Sequence, residues 1–245
     1  MNDVPLSTSP WLVPFSPLAP RIFAAARAQS VVVALNEAQR QIPGPVRFVE
    51  HSALAATEPY ESFIARTGCV PTRDNLHDLF NGLVWLTYPQ TKRRLNSLQA
   101  EQIALLGTSG PRGPLRDALT LFDENAAILR APPELVDALR RREWHRLFLT
   151  QRNSWQAAQL VIFGHALMEK LTQPRKAITA HVWVTDDLSD AGVAATLTSS
   201  RLTAKSFLPL PVLGVPGWWE PNEEPGFYDD VQVFRPERSA ARPQS

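Results

Sequence analysis

The stretch RDNLHDLFNGLVWLTYPQTKRRLNSLQAEQI, residues 73–103, decides the fold. At about 100° per residue, apolar side chains between Leu76 and Leu86 fall on one arc of a helix, which is the pattern of a core-facing surface. Pro89 is expected to end this helix and to open a second one, Gln90 to Leu106, while Asp74 or Thr72 caps the first. The sequence therefore predicts two consecutive helices at the centre of the fold.

The opposite arc of the first helix is polar but includes a tryptophan. Its members are Asp74, His77, Asp78, Asn81 and Trp85. A tryptophan in a polar arc either meets water or is covered by another element. We expect Trp85 to be covered, and so we expect the polar side chains beside it to face the rest of the protein.

Several motifs along the chain resemble one bacterial family. The run NLHDLFNGLVWLTYPQTKRRLN is followed by LFDEN, FGHALMEKL, ITAHVW and FYDDVQVFRP. In this order, from about Leu12 to Pro236, they resemble domain-of-unknown-function family 3025. The resemblance implies a bacterial, single-domain, non-secreted protein, and it implies no mechanism. One departure is Asn125-Ala126, where the resemblance implies Asn-Gly, so any turn there is built without glycine.

The composition bounds the class of protein. With 25 basic and 24 acidic residues among 245, the net charge of +1 provides no overall field that would attract nucleic acid or an anionic membrane. The single cysteine, Cys69, excludes an intrachain disulfide and a multi-cysteine zinc site, and it is typical of a reducing compartment. The amino-terminal residues lack the pattern of a signal peptide, and the uncharged run Asn153 to Met168 is too short and too polar for a membrane span. We expect a soluble, cytoplasmic protein.

The chain is expected to form one α+β domain, predominantly α-helical with a small β-sheet. Residues 1–20 are expected to form a proline-rich extended arm held by Trp11, Leu12 and Phe15, residues 21–236 the globular domain, and residues 237–245 a disordered tail. The strands are predicted near 46–50, 126–130, 178–184 and 231–234.

A long helix from Asn153 to Thr172 is predicted to be central and buried, because apolar residues surround it on nearly all sides. Gly164 in its middle costs about 1 kcal/mol relative to alanine, which indicates that another backbone approaches there. A helix is also predicted from Arg21 to Arg40.

This long helix carries a candidate metal or acid–base site. His165 and Glu169 are four residues apart and share one side of the helix, and buried polar groups without partners cost a few kcal/mol. The functional interpretation is a divalent metal held by His165, Glu169 and His181. The structural interpretation is that Glu169 accepts a hydrogen bond from His165 and that both anchor packing. In either case we predict that these three residues form one connected polar cluster.

The remaining ionisable residues suggest a catalytic group. His77, Asp78, Asp123 and Glu124 are the candidate catalytic residues of a hydrolase. The order of His51, His77-Asp78 and Asp123 also matches the metal phosphohydrolases, although order alone is a weak match. The default role for Asp78 is a first-turn carboxylate that stabilises the helix dipole.

The alternative to an enzyme is a non-catalytic binding or scaffold protein. It would contact nucleic acid through the basic runs Lys92-Arg93-Arg94 and Arg140-Arg141-Arg142, the second of which is followed by Trp144, His145 and Arg146. Charge runs at helix ends are more often solvated surfaces. The chain has no phosphate-binding loop, dinucleotide fingerprint or nucleophile elbow, which removes the commonest nucleotide-binding and serine-hydrolase classes.

Overall fold

A computed structural model describes residues 9–42, 46–107 and 113–237 of the chain. Its helices are α1 (Ala19–Ala28), α2 (Val31–Gln39), α3 (Tyr60–Thr67), α4 (Leu76–Thr87), α5 (Pro89–Leu106), α6 (Pro114–Asn125), α7 (Pro133–Arg140), α8 (His165–Leu171) and α9 (Asp190–Thr196). Its strands are β1 (Arg47–Glu50), β2 (Cys69–Thr72), β3 (Ala126–Arg130), β4 (Gln159–Ile162), β5 (Thr179–Val184) and β6 (Leu208–Pro211). The predicted fold class, α+β and mainly helical, is confirmed.

The strands form two small sheets within the described residues. Strands β1 and β2 pair in parallel, and the second sheet has the order β4-β3-β5-β6, in which β3 and β5 are parallel and the outer pairs are antiparallel. The strands predicted near 46–50, 126–130 and 178–184 are confirmed. Strands β2, β4 and β6 were not anticipated.

The strand predicted near 231–234 is wrong. That segment is a turn, which follows the short 3-10 helix Pro225–Asp229. The Asp230 side chain accepts from the backbone N–H of Gln232, and its carbonyl accepts from the N–H groups of Val233 and Phe234. These local bonds use the backbone donors that a strand would offer to a neighbour.

The long helix predicted from Asn153 to Thr172 is also wrong. The chain instead forms a 3-10 helix, Arg152–Ala157, then strand β4, then the short helix α8. The apolar run looked like a buried helix, but Val161 and Ile162 belong to β4 and are buried in the sheet. Short apolar runs do not separate a buried strand from a buried helix, which explains the error.

The amino-terminal segment differs in detail from the expectation. Trp11, Leu12 and Phe15 are buried in the core, as predicted, but they lie in a 3-10 helix, Pro10–Phe15, rather than in an extended chain. The helix predicted from Arg21 to Arg40 is two helices, because the chain breaks at Gln29 and Ser30 caps α2. Residues 1–8 of the predicted arm and 238–245 of the predicted tail lie outside the described residues.

The central pair of helices, α4 and α5, is confirmed. Asn75 caps α4 by accepting from the N–H of Asp78, whereas Asp74 accepts from the N–H of Val31 and so ties α4 to α2. Trp85 is only 2% exposed, so the expected cover over the polar arc is present. Among the described residues, no helix has the length and apolar character that crossing a membrane requires.

Candidate functional site

The polar arc of α4 faces a cavity of about 400 Å³. We call it the polar cavity; its lining includes His77, Asp78, Asn81, Asp123, Glu124 and His165. These residues come from three helices: the first turns of α4, the last turn of α6, and the first residue of α8. All four predicted catalytic residues therefore line one cavity, together with one of the three predicted metal ligands.

A close backbone approach brings α6 and α8 together at the cavity. A Cβ placed on Gly164 would lie 2.5 Å from the carbonyl oxygen of Glu124 and from the backbone nitrogen of Asn125. The N–H groups of Phe163 and Gly164 both donate to the carbonyl of Ala126, at 3.0 and 2.8 Å. The predicted close approach at Gly164 is confirmed, although this glycine precedes α8 instead of lying within a long helix. His165 is thereby placed beside Glu124.

Ala126 shows why this junction needs no glycine of its own. Strand β3 begins at Ala126 directly after α6, with φ −77° and ψ 148°. This is ordinary extended backbone that any residue adopts. The Asn-Ala sequence therefore forms the helix-to-strand junction without the turn that an Asn-Gly pair suggested.

Three side chains in the cavity form a group that could hold a metal ion. Ligand atoms of His77, Glu124 and His165 all lie within 4.8 Å of one another, and we call these residues the metal-ligand group. The two imidazole rings meet edge to face with centroids 4.6 Å apart, and His165 Nε2 lies 3.4 Å from Glu124 Oε2. This group shares His165 with the predicted ligand set.

Glu169 contacts the metal-ligand group through His77. Its Oε2 lies 2.9 Å from His77 Nδ1. The expected pairing of Glu169 with His165 is therefore wrong: the carboxylate, one turn after His165, reaches across to α4. An ionised carboxylate only accepts hydrogen bonds, so Nδ1 carries the proton and the lone pair of the neutral ring is on Nε2. Metal-binding histidines are commonly oriented by a carboxylate in this way.

His165 is buried and neutral. Its exposure is 4%, and burial lowers its pKa to about 3, outweighing the attraction of Asp123. Its Nδ1 lies 3.9 Å from Asp123 Oδ2, beyond hydrogen-bond distance, and makes no well-aligned hydrogen bond to a described residue, although the backbone of Asp123 lies near the ring and favours its protonated form. The neutral ring of His165 therefore has a lone pair that can bind a metal ion, and its buried Nδ1 lacks a well-aligned hydrogen bond.

The pKa values of the two carboxyl groups at the end of α6, Asp123 and Glu124, are shifted in opposite directions. Burial alone would raise the pKa of Asp123, but Lys92 and the neighbouring histidines outweigh it and lower that pKa. Burial, with the charge of Asp123 beside it, raises the pKa of Glu124. Neighbouring carboxyl groups with divergent pKa values are typical of functional sites.

Lys92 is a buried neighbour of the candidate site that the sequence did not reveal. It was assigned to a surface basic run, but its side chain is only 4% exposed, with Nζ 2.5 Å from Asp123 Oδ1 and 2.8 Å from Asn81 Oδ1. Asn81 in turn donates to the hydroxyl of Tyr60 at 3.0 Å, and Tyr60 also lines the cavity. No local sequence pattern marks either Lys92 or Tyr60 as a neighbour of this site.

The phosphohydrolase-like residues also reach the cavity, with additional structural roles. Asp78 Oδ2 accepts from the N–H of Arg73 at 2.6 Å and so fixes the turn before α4. His51 lines the cavity too, and its Nε2 lies 3.1 Å from Nη2 of Arg73. Neither Asp78 nor His51 belongs to the metal-ligand group.

His181 lies apart from this arrangement. It is on β5, with its ring centroid 6.4 Å from that of Phe207, and burial and the charge of Lys170 lower its pKa. It does not line the polar cavity, and no hydrogen bond described in the structure links it to His165 or Glu169. The described contacts therefore do not include the predicted cluster of His165, Glu169 and His181.

Several members of the predicted basic runs are engaged within the chain. Arg94 donates to the carbonyl of Leu197, and Arg141 pairs with Asp137. Trp144 is 6% exposed, and its indole N–H donates to the carbonyl of Arg235 at 2.8 Å. Like Lys92, these side chains bond to other residues of the same chain.

Comparison with known proteins identifies the family. The family model described as "Protein of unknown function (DUF3025)" matches residues 46–238, and the chain belongs to that family. The match begins later than the resemblance suggested and covers all the cavity residues discussed above. No curated protein and no solved structure matches the chain.

Proposed function

We propose that this DUF3025 protein is a hydrolase that depends on a divalent metal ion held by His77, Glu124 and His165. One observation carries the proposal: ligand atoms of these three residues, which come from three different helices, lie within 4.8 Å of one another in a cavity. Two histidines and one carboxylate form the donor set of many catalytic zinc sites. Three protein ligands leave a coordination position for water.

The protonation of the two histidines supports metal binding. The lowered pKa of His165 keeps its ring neutral, as a ligand must be. The bond from His77 Nδ1 to Glu169 leaves the lone pair on Nε2. A buried nitrogen without a partner, such as Nδ1 of His165, costs about 1–3 kcal/mol, and a ligand in the cavity would offset that cost.

The surrounding residues fit hydrolysis of a small molecule. A divalent ion of the zinc type held by the metal-ligand group would lower the pKa of a bound water to about 7. Asp123 stays ionised beside the group, held by Lys92, and its free oxygen is an acceptor for a proton or for the hydrogen bond of a water. The cavity volume of about 400 Å³ is that of a small-molecule site.

Metal analysis tests the proposal. We expect purification without chelator to give protein with about one divalent ion per chain, and the chelator-treated protein to bind Zn²⁺ in calorimetric titrations. Glu169→Gln should weaken Zn²⁺ binding by about tenfold to a hundredfold, because it removes the carboxylate that orients His77. Glu134→Gln, at an exposed position without a described side-chain bond, is the matched control and should bind Zn²⁺ like the wild type.

Three outcomes would contradict the proposal. Protein without stoichiometric metal and without Zn²⁺ binding has no metal site. Metal-loaded protein that hydrolyses no member of a panel of carboxylic esters, amides and phosphate esters is a metal-binding protein and not a hydrolase. Recovery of iron with oxygen-dependent turnover would also overturn the hydrolase assignment, because the same donor set serves iron oxygenases.

A further inference from the structure

A chain of hydrogen bonds with a fixed direction leads from Lys92 to Tyr60. The ammonium group of lysine only donates, so the Asn81 atom 2.8 Å from Lys92 Nζ is the amide oxygen. The amide nitrogen of Asn81 is then the atom 3.0 Å from the hydroxyl of Tyr60, to which it donates. The buried lysine thus determines the orientation of the amide, and the amide makes the Tyr60 hydroxyl an acceptor on that side.

The Tyr60 hydroxyl proton is left for a ligand. No residue in the described part of the chain accepts this proton, and Tyr60 lines the polar cavity. Burial, with further contributions from Asp123 and Asp78, raises the pKa of Tyr60, so the hydroxyl keeps its proton. Tyr60 therefore offers a hydrogen-bond donor to whatever enters the cavity.

Arg73 provides a second donor in the same cavity. Its Nη2 contacts His51 Nε2 at 3.1 Å, and no carboxylate among the described residues pairs with its guanidinium group. Arg66, in contrast, pairs with Glu58, which lines the cavity. Since a guanidinium group carries five N–H donors, Arg73 retains donors for a ligand.

Three of the five carboxyl groups that line the cavity already have partners in the chain, whereas Glu61 has no described side-chain bond and Glu124 belongs to the metal-ligand group. Glu58 pairs with Arg66, Asp78 accepts from the backbone of Arg73, and Asp123 pairs with Lys92. Cations therefore offset the charges of Glu58 and Asp123, and a divalent ion held by the metal-ligand group would offset that of Glu124. The ligand that these unpaired donors match is one with several acceptor oxygens and negative charge.

We propose that the substrate carries a phosphate group, whose oxygens are bound by Tyr60, Arg73 and the ion of the metal-ligand group. This inference rests on the proposed function. A hydroxyl, a guanidinium group and a metal ion are three separate electrophiles, which match the three terminal oxygens of a phosphate monoester. A carboxylate has only two oxygens, so two of the three groups would have to share one oxygen.

Binding of inorganic phosphate to Co²⁺-loaded protein tests this inference. The visible absorption of Co²⁺ reports both metal loading and the arrival of an anion. Tyr60→Phe removes only the hydroxyl and should raise the Kd for phosphate by about tenfold to a hundredfold, the range for a hydrogen bond to a charged group. Its affinity for Co²⁺ should be unchanged. Tyr88→Phe, whose hydroxyl makes no described hydrogen bond and does not line the cavity, is the matched control.

A second substitution reverses the direction of the hydrogen-bond chain. In Asn81→Asp, one oxygen still accepts from Lys92, and the other now accepts the Tyr60 hydroxyl proton. Phosphate binding should weaken, and adding Tyr60→Phe to this variant should change the Kd by less than about twofold, because the donor has already been withdrawn. If Tyr60→Phe has its full effect in the Asn81→Asp background, the added charge explains the loss and the direction argument is wrong.

The outcomes separate this inference from the proposed function. Failure of the wild-type protein to bind Co²⁺ overturns the proposed function, and this inference falls with it. Co²⁺ binding with equal phosphate affinity in wild type and Tyr60→Phe overturns the inference alone. Acetate bound as tightly as phosphate overturns the assignment of a phosphate group in favour of a carboxylate.

Discussion

The polar cavity and an aromatic cluster elsewhere in the protein differ in whether their buried polar atoms have hydrogen-bond partners in the chain. The aromatic cluster consists of Trp144, Phe148, Trp155, Phe227, Tyr228 and Phe234. Each polar atom on these rings has a partner in the chain: the indole N–H of Trp155 donates to Leu147, that of Trp144 donates to Arg235, and the Tyr228 hydroxyl donates to the carbonyl of Gly214.

The cavity leaves polar atoms without such partners. Nδ1 of His165 and Nδ1 of His51 are buried without a hydrogen bond to any described residue, and the Tyr60 hydroxyl proton has no described acceptor. Buried polar groups in proteins are nearly always paired, so unpaired ones need a reason. The aromatic cluster therefore satisfies the polar atoms of its own rings, whereas the cavity leaves polar atoms available to a ligand, in line with the proposed function.

The largest expected effect comes from Gly164→Ala. The added methyl group would lie 2.5 Å from backbone atoms of Glu124 and Asn125, which cannot move without shifting the end of α6. We expect the free energy of unfolding to fall by about 3 kcal/mol and Zn²⁺ binding to be lost, because Glu124 and His165 no longer meet. Urea melts and calorimetric titration measure the two effects.

Gly214→Ala is the matched control for that substitution. Its added methyl group would meet the side chain of Phe148 at 3.0 Å, within the aromatic cluster, and a side chain can adjust where backbone cannot. It should destabilise the protein less than Gly164→Ala and leave Zn²⁺ binding intact. Equal loss of metal binding in both variants would show that the metal site merely follows overall stability.

The second prediction removes a satisfied polar group near the aromatic cluster. The side-chain nitrogen of Asn222, a residue that is 1% exposed, donates to the carbonyls of Leu213 and Val215, both at 2.8 Å. Asn222→Ala leaves the carbonyl of Leu213 without a described partner and leaves that of Val215 with only the N–H of Trp218, and it should lower the free energy of unfolding by about 2 kcal/mol. The Zn²⁺ affinity of the variant, measured without urea where it is folded, should equal that of the wild type. A shift in metal affinity would indicate that the two regions are coupled.

The sequence predicted the parts of the site that lie on regular helices. His77, Asp78 and Asn81 were recognised together because α4 has a clear 3.6-residue pattern, and the close approach at Gly164 followed from the cost of a buried glycine. The position of Lys92 could not be read, because a lysine next to two arginines has the same local pattern whether it is solvated or paired. Only the tertiary contact between α5 and Asp123 decides between them.

The errors between residues 153 and 172 have one physical cause. A run that is apolar on all sides is compatible with a buried helix and with a buried strand, and the pairing with β3 that decides between them is long-range. His165 and Glu169 nevertheless remained on one helix, because α8 contains both. The pairing of Glu169 with His77, and not with His165, depends on the contact between α4 and α8, which no local pattern contains.

The smallest effect concerns the pH dependence of stability in metal-free protein. The pKa of His165 is about 3 in the folded state and 6.5 in the unfolded chain, so between these values the unfolded state binds a proton that the folded state does not. Stability therefore falls as the pH falls below about 6.5, at a limiting slope of about 1.4 kcal/mol per pH unit from this residue. From pH 6.5 to pH 5 the contribution amounts to at most about 2 kcal/mol.

The comparison of His165→Gln with the wild type isolates this contribution, because the other titrating groups, including His181 and Glu124, are present in both proteins. Urea melts in EDTA at several pH values should show a shallower loss of stability for the variant. The free energy of unfolding of the metal-free protein would then fall in acid because His165, which is neutral in the folded state, becomes protonated on unfolding. Parallel pH profiles for the two proteins would mean that His165 is solvated in the folded state, and the contrast between a completed aromatic cluster and an incomplete cavity would lose its main support.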